Sequence, residues 1–283
     1  MVRICAGGGP EILIPWARGS IVGKIEEGRD VCALTLAYSI RQDSNSGGIP
    51  DMLETVNLMC VVDGHARLSG CSMSVRTGEV LGIVGAAGAG KSSLLAVLAG
   101  QLAPTRGQVL LNGKDVAKKA RVLAKSNGYV AHEVAGPLDL SCHDWLHFWL
   151  EVAGVEKEKR QASMDLALER FSFSDLTRPL STCSRSERCT LDLIRLFAQK
   201  PNLYLLDSPS QGLDGHGLRA LTGAIKAVAA SGATVILADS SPHLPVAVCD
   251  RVLVIHDGQM VADVKRSQPE FESMVARSQG WSE

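Results

Sequence analysis

The segment Gly85-Ala86-Ala87-Gly88-Ala89-Gly90-Lys91-Ser92-Ser93 constrains this chain more than any other. It has the spacing GxxxxGK[ST], and its neighbours suit it. Glu79 to Val84 (EVLGIV) is a short apolar run that predicts a buried strand, and Ser92 to Gln101 predicts a helix. Glycines at 85, 88 and 90 permit turns that a Cβ would forbid, so successive N–H groups can point into one concavity. Strand, glycine turn and helix together form a cradle for phosphate oxygens, and the helix adds its positive dipole end. On that reading Lys91 reaches the β and γ phosphates of a nucleotide and the Ser92 hydroxyl ligates Mg²⁺. The competing reading is a chance match in a chain with 28 glycines. The flanking strand and helix weigh against it.

At 283 residues the chain has room for one large domain or two small ones with a sizeable core. Its net charge of −1 provides no general attraction to nucleic acid or acidic lipid. No apolar run approaches the roughly 20 residues needed to span a bilayer. The first ten residues, MVRICAGGGP, carry no secretory signal pattern, so the expected location is the cytoplasm. Eight scattered cysteines, without a CxxC pair, are expected to be reduced and packed. His143 and His147 stand four apart on a predicted helix. No HExxH carboxylate accompanies them, and a packing role is favoured over metal binding.

A polar, glycine-containing stretch at Gln42–Asp51 (QDSNSGGIPD) reads as a linker. It divides an N-terminal extension, 1–51, from a main unit over 52–265, and 266–283 is left as a tail. The extension is either an appended arm or an upstream start of the reading frame. After the glycine loop and its helix come strands around Gly107–Gly113 and Gly128–Val130. A largely helical stretch then runs from Leu140 to about Phe197. Strands are expected again at Leu203–Asp207, Thr234–Asp239 and Arg251–His256, the last leading through an Asp257-Gly258 turn into Met260–Val264. Alternating strands and helices predict an α/β fold with a mostly parallel sheet.

The order of these blocks resembles the nucleotide-binding domain of ABC transporters, from about Met52 to Asp263. Leu203–Asp207 is similar to a Walker B strand, and Ser208–Asp214 (SPSQGLD) to the turn and D-loop that follow it, with Asp214 as the D-loop acid. Gly128-Tyr129-Val130 resembles the strand before the Q-loop, and Cys249–Val252 the segment after the switch histidine. The resemblance implies a P-loop NTPase of ABC type, mostly parallel, with an antiparallel β portion and an inserted helical subdomain over about 132–197. It implies ATP and Mg²⁺ as cofactors, with Asp207 holding the metal shell opposite Ser92.

The family's catalytic positions are altered here. Ser208 stands where the family has the glutamate that polarises the attacking water, and a serine hydroxyl is far too weak a base to replace it. Loss of a positioned base typically costs ~10²- to 10⁴-fold in rate. Ser240 stands at the switch histidine, with His243 three residues on. His132 aligns with the Q-loop glutamine, the third expected metal contact. Cys183-Ser184-Arg185-Ser186-Glu187 aligns with the signature LSGGQ; Ser184 is kept, while Arg185 and Ser186 replace its glycines. A second register uses Leu180-Ser181-Thr182 instead. Val61-Val62-Asp63 occupies the region where relatives carry an adenine-stacking aromatic.

The resemblance implies an ATP-binding subunit of an ABC transport complex, peripheral to the membrane through a permease and paired with a second ABC ATPase domain, in a homo- or heterodimer. Feeble hydrolysis is the expectation. The alternative is a soluble regulatory or scaffold protein with the same domain, and a third reading, a small-molecule P-loop kinase, fits the Ser208–Asp214 block poorly. Trp145, Phe148 and Trp149 are expected either to meet the permease or to form a buried helix face.

Overall fold

The computed structural model describes residues 2–4, 12–14, 52–111, 113–131 and 139–278. Two three-residue strands, β1 (Val2–Ile4) and β2 (Ile12–Ile14), pair antiparallel as a separate ribbon. The rest of the expected extension lies outside the described residues.

Two sheets build the main unit. The first is antiparallel, in the order β4 (His65–Arg76), β3 (Met52–Val62), β6 (Arg106–Leu111), β7 (Lys114–Asp115). Along β4 alternate residues Cys71, Met73 and Val75 turn inward, as the two-residue period of a half-buried strand requires. The second sheet has six strands, β12 (Gln259–Lys265), β11 (Arg251–His256), β5 (Val80–Val84), β10 (Thr234–Ala238), β9 (Leu203–Asp207) and β8 (Gly128–Val130). All but β12 run parallel. Every residue of β5, β9 and β10 is buried, which is why these segments read as unbroken apolar runs rather than alternating ones.

The large sheet separates two apolar cores. On one face α1 (Lys91–Leu98) and the antiparallel sheet close over Leu81, Ile83, Leu203, Leu205 and Ile236; α2 (Ala120–Ser126) contributes Leu123 to the same core. On the other lie α3 (Cys142–Val152), α4 (Lys157–Phe171), α5 (Arg185–Gln199), α6 (Gly215–Ala230) and α7 (His243–Val248), packed on Tyr204, Leu206, Val235 and Leu237. The segment read from sequence as a tail also carries a helix, α8 (Phe271–Arg277), and Phe271 and Val275 are buried in this second core. Among the described residues no helix is long and apolar enough to cross a membrane. The six described cysteines are free thiols, five of them buried.

Helix α3 resolves the two readings of its aromatic residues. Trp145 and Trp149 are buried and meet edge to face at 6.1 Å, so these two form a core face and not an exposed contact. Phe148 is partly buried beside them. His143 and His147 stack on the same helix with ring centroids 4.4 Å apart. Burial, followed by the neighbouring His143, lowers the pKa of His147.

One buried ion pair ties the helical layer to the sheet. Arg195 Nε donates to Asp192 Oδ1 at 2.6 Å, and its Nη2 donates to the Tyr129 carbonyl of β8 at 2.7 Å. The guanidinium lies 5.5 Å from the Trp149 ring, reaching α3 as well. Burial pushes the Asp192 carboxyl up, and Arg195 pulls it back. Arg195→Met would strand a carboxylate in the core, so stability measured by urea unfolding should fall by roughly 3–5 kcal/mol. Asp192→Leu combined with Arg195→Met should recover most of that loss.

Candidate functional site

The parallel strands β5, β9 and β10 all end at one edge of the large sheet, and the expected site residues gather there. Val84 leads into the glycine loop, Asp207 ends β9, and Ala238 is its register partner on β10. Two of its glycines are packed too tightly for side chains. A Cβ on Gly85 would lie 2.2 Å from the Ile255 carbonyl oxygen, and one on Gly90 would lie 2.4 Å from that of Arg67. Gly90 also caps α1 with φ of 108°, in the range that glycine tolerates.

Ala86, Ala87 and Gly88 form the outer rim of the loop, while Gly85, Ala89 and Gly90 are buried against the strands. Lys91 folds back over this rim, donating from Nζ to the carbonyls of Gly85 at 2.7 Å and Ala86 at 2.8 Å. Burial lowers its pKa, and the nearby Asp207 and Asp239 carboxylates oppose that shift. Ser92 is exposed at the first turn of α1 and Ser93 is half-buried next to it. Asp207 is buried, with 4% of its surface accessible.

Asp239 is a feature that strand patterning alone did not single out. It is as buried as Asp207, and it sits one residue past β10. Its Oδ1 accepts from the Ser210 hydroxyl at 2.8 Å and the Ser241 N–H at 2.8 Å, and Oδ2 accepts from the Ser210 N–H at 3.1 Å. One carboxylate therefore joins the turn after Asp207 to the segment holding Ser240. Burial still raises its pKa against those donors. The signal in the sequence is that TVILAD ends in an acid just as LYLLD does.

Ser208 takes a positive φ of 53°, held by its N–H donating to the Ala238 carbonyl at 2.7 Å. Ser240 is exposed, and His243 is the exposed first residue of α7. His132 lies outside the described residues.

The second cluster forms at the start of α5. Ser184 is its N-cap: the hydroxyl accepts from the Glu187 N–H at 3.2 Å while a Glu187 carboxylate oxygen accepts from the Ser184 N–H at 2.8 Å. Leu180–Thr182, the other register, forms a separate 3₁₀ turn ahead of it. Arg178 pairs with Glu187, and that pair, followed by the cap hydrogen bonds, holds the Glu187 carboxyl down at about 2. Arg185 donates to the Gln211 side chain at 3.4 Å and the Ser186 hydroxyl donates to the Gly212 carbonyl, so this helix start is latched to the turn before Asp214. Asp214 in turn caps α6, accepting from the Gly217 N–H at 2.7 Å.

A glycine cradle at the end of a central parallel strand, an acid at the end of β9 two strands along and a capped helix start facing the turn beyond form a recognisable arrangement. The sequence matches the ABC transporter family over residues 68–211, from β4 to the turn after Asp207. The chain belongs to this family. It is 34% identical over 182 residues to the cytochrome c biogenesis ATP-binding export protein CcmA of Paramagnetospirillum magneticum, an alignment covering 64% of this chain and 84% of that protein. It is 30% identical over 228 residues to the hemin import ATP-binding protein HmuV of Rhodopseudomonas palustris, covering 76% and 83%. A dimeric ATP-binding cassette, solved after hydrolysis with ADP and Pi bound, matches the fold with a TM-score of 0.68 at 17% identity, covering 76% of this chain and 99% of that one.

The cap of this ABC domain's α5 gives a pH prediction. Glu187 is depressed in the folded state, so the cap contributes stability above the ordinary glutamate value of 4.5 and loses it as pH falls through about 2. Carboxyl-detected NMR titration should find Glu187 near that low value, and Arg178→Ala should move it back toward 4.5.

Proposed function

We propose that this chain is the ATP-binding subunit of an ABC transport complex in which gripping Mg-ATP matters more than cutting it. The observation that carries the reading is a complete phosphate cradle beside serines at both catalytic positions, 208 and 240. In this reading the N–H groups of Gly85 to Ser93 hold the phosphates. Lys91 exchanges its two loop carbonyls for the β and γ phosphate oxygens, to which its charge is better matched. Ser92 and Asp207 would hold Mg²⁺, both hard oxygen donors of the kind that ion takes. His132 is the third proposed contact.

The start of α5 supports the register in which Ser184 faces a partner's nucleotide, because a helix N-terminus turns its positive dipole end toward a γ-phosphate. Arg185 and Ser186 give it bulk where the family has none. A head-to-tail pair with a second ABC domain would then present this loop to the partner's ATP, and the pair would sit on the cytoplasmic side of a permease. The names of the relatives above, an export and an import protein, support the transport role.

Isothermal titration should show Mg²⁺-dependent ATP binding, weakened by roughly 10- to 100-fold in Lys91→Ala. Turnover should fall about 10² to 10⁴ below that of an enzyme with a positioned base. Ser208→Glu alone should not restore full activity, since Ser240 remains. Turnover at the ordinary scale of 1–10³ s⁻¹, abolished by Lys91→Ala, would refute slow hydrolysis.

A further inference from the structure

A second cavity lies at the opposite edge of the large sheet, where β9 and β10 begin. It holds about 420 Å³ and opens between α4 and the end of α5 on one side and the end of α6 on the other. At about 3.3 Å per residue, a five-residue strand puts it on the order of 15 Å from the phosphate loop. The two sites do not share a residue.

Arg170, Lys200 and Tyr204 are among the polar residues that line it. Arg170 and Lys200 stand exposed at its rim, make no ion pair or hydrogen bond among the described residues, and share the lining with no Asp or Glu. Tyr204 is 1% exposed, lines the same cavity, and its hydroxyl makes no hydrogen bond there. Burial raises the Tyr204 pKa and Arg170 lowers it, which places the guanidinium within electrostatic reach of the phenol. The Tyr204 ring is buried while its hydroxyl opens to the cavity, where a ligand oxygen can take the place of water. Leu166, Phe197 and Val228 supply the apolar walls.

Cations at helix C-terminal ends also offset the helix dipole, and here α4, α5 and α6 all end nearby. Two of those ends are already capped by backbone. Ser172 and Phe173 N–H groups donate to Glu169 and Leu168, and Ser231 and Ala233 donate to Ala227 and Val228. Neither cationic side chain is used in a cap, so both remain available.

We infer that this cavity binds a small organic anion, a carboxylate carried on an aromatic or other compact apolar body. The guanidinium of Arg170 and the ammonium of Lys200 take the carboxylate, the Tyr204 hydroxyl donates to it, and the body rests on Phe197 and Val228. The volume lies within the range of ordinary ligand sites. The cavity lies across the seam between α4–α5 and the layer formed by α6, β9 and β10. Occupancy therefore fastens the helical layer to the sheet, which makes the anion an effector and not a substrate of the nucleotide site.

The test uses the full chain, with the fluorescent arylsulfonate 1-anilinonaphthalene-8-sulfonate as probe and 4-phenylbutyrate as competitor. Saturable binding at one site per chain is expected, displaced by 4-phenylbutyrate and unchanged in Lys91→Ala. Arg170→Gln with Lys200→Gln should weaken it roughly tenfold or more, and Tyr204→Phe by a smaller factor, with circular dichroism confirming that each variant folds. Non-saturable fluorescence, or binding unaltered by the double charge removal, overturns the assignment. Displacement by inorganic phosphate as effective as by 4-phenylbutyrate overturns it too, because the apolar body would then contribute nothing.

Discussion

The structure depends on a place where three stretches of backbone meet with no room for side chains between them. Gly258, in the turn between β11 and β12, donates its N–H to the Ala89 carbonyl at 2.9 Å and accepts at its own carbonyl from the Ser69 N–H at 2.7 Å. The Cys71 thiol also donates to that carbonyl, at 3.0 Å. A Cβ at Gly258 would lie 2.8 Å from the Arg67 carbonyl oxygen, close to where one on Gly90 would also collide. The hairpin of the large sheet, strand β4 of the small sheet and the glycine loop are thereby locked at one point. The loop keeps its concave shape because its rear is fixed by backbone hydrogen bonds, which no side-chain rotation can release.

Electrostatics at the open side of that loop follow from the same packing. Lys91 is drawn into a partly buried position where its charge is disfavoured, and the carbonyls of Gly85 and Ala86 with the nearby carboxylates of Asp207 and Asp239 compensate. Two buried acids near one cation form a net negative pocket. In the proposed function Mg²⁺ offsets that charge, so nucleotide and metal enter together and each makes the other's binding more favourable. Asp239 has a second consequence. By binding Ser210 and Ser241 at once, it makes the turn after β9 and the segment after β10 a single unit.

Strand and loop positions were legible wherever local chemistry dictated them. The segments Leu203–Asp207, Arg251–His256 and Gly128–Val130 occur with the bounds read from sequence. Their apolar runs leave little choice of state. The helix at Phe271–Arg277 was missed because it is short, and its two buried residues, Phe271 and Val275, give too little periodicity to detect. Trp145 and Trp149 had two readings because an apolar helix face looks the same whether it meets its own core or a partner; only tertiary packing decides. Asp239 was overlooked for a related reason. The partners that make it important, Ser210 and Ser241, are assembled by sheet pairing across 29 residues in one case and a local turn in the other, and spacing reveals neither.

The start of α5, proposed above as the segment that meets a partner's nucleotide, is ordered by contacts within the chain. Arg185 and Ser186 have partners within the same chain, the Gln211 side chain and the Gly212 carbonyl. Those contacts join the helix to the turn that leads into Asp214, so the face offered to a partner is already tied to this chain's own strand-end turn. Asp239 grips the same turn from the other side through Ser210. A continuous set of hydrogen bonds thus runs from the end of β10, through residues 210–212, to the N-terminus of α5. It passes Ser208, and in the proposed pair it would connect this chain's own nucleotide site to the surface that meets the partner's nucleotide. Under the proposed function, binding at either surface would bias the other through this path, which requires ATP to be held but does not require it to be cut.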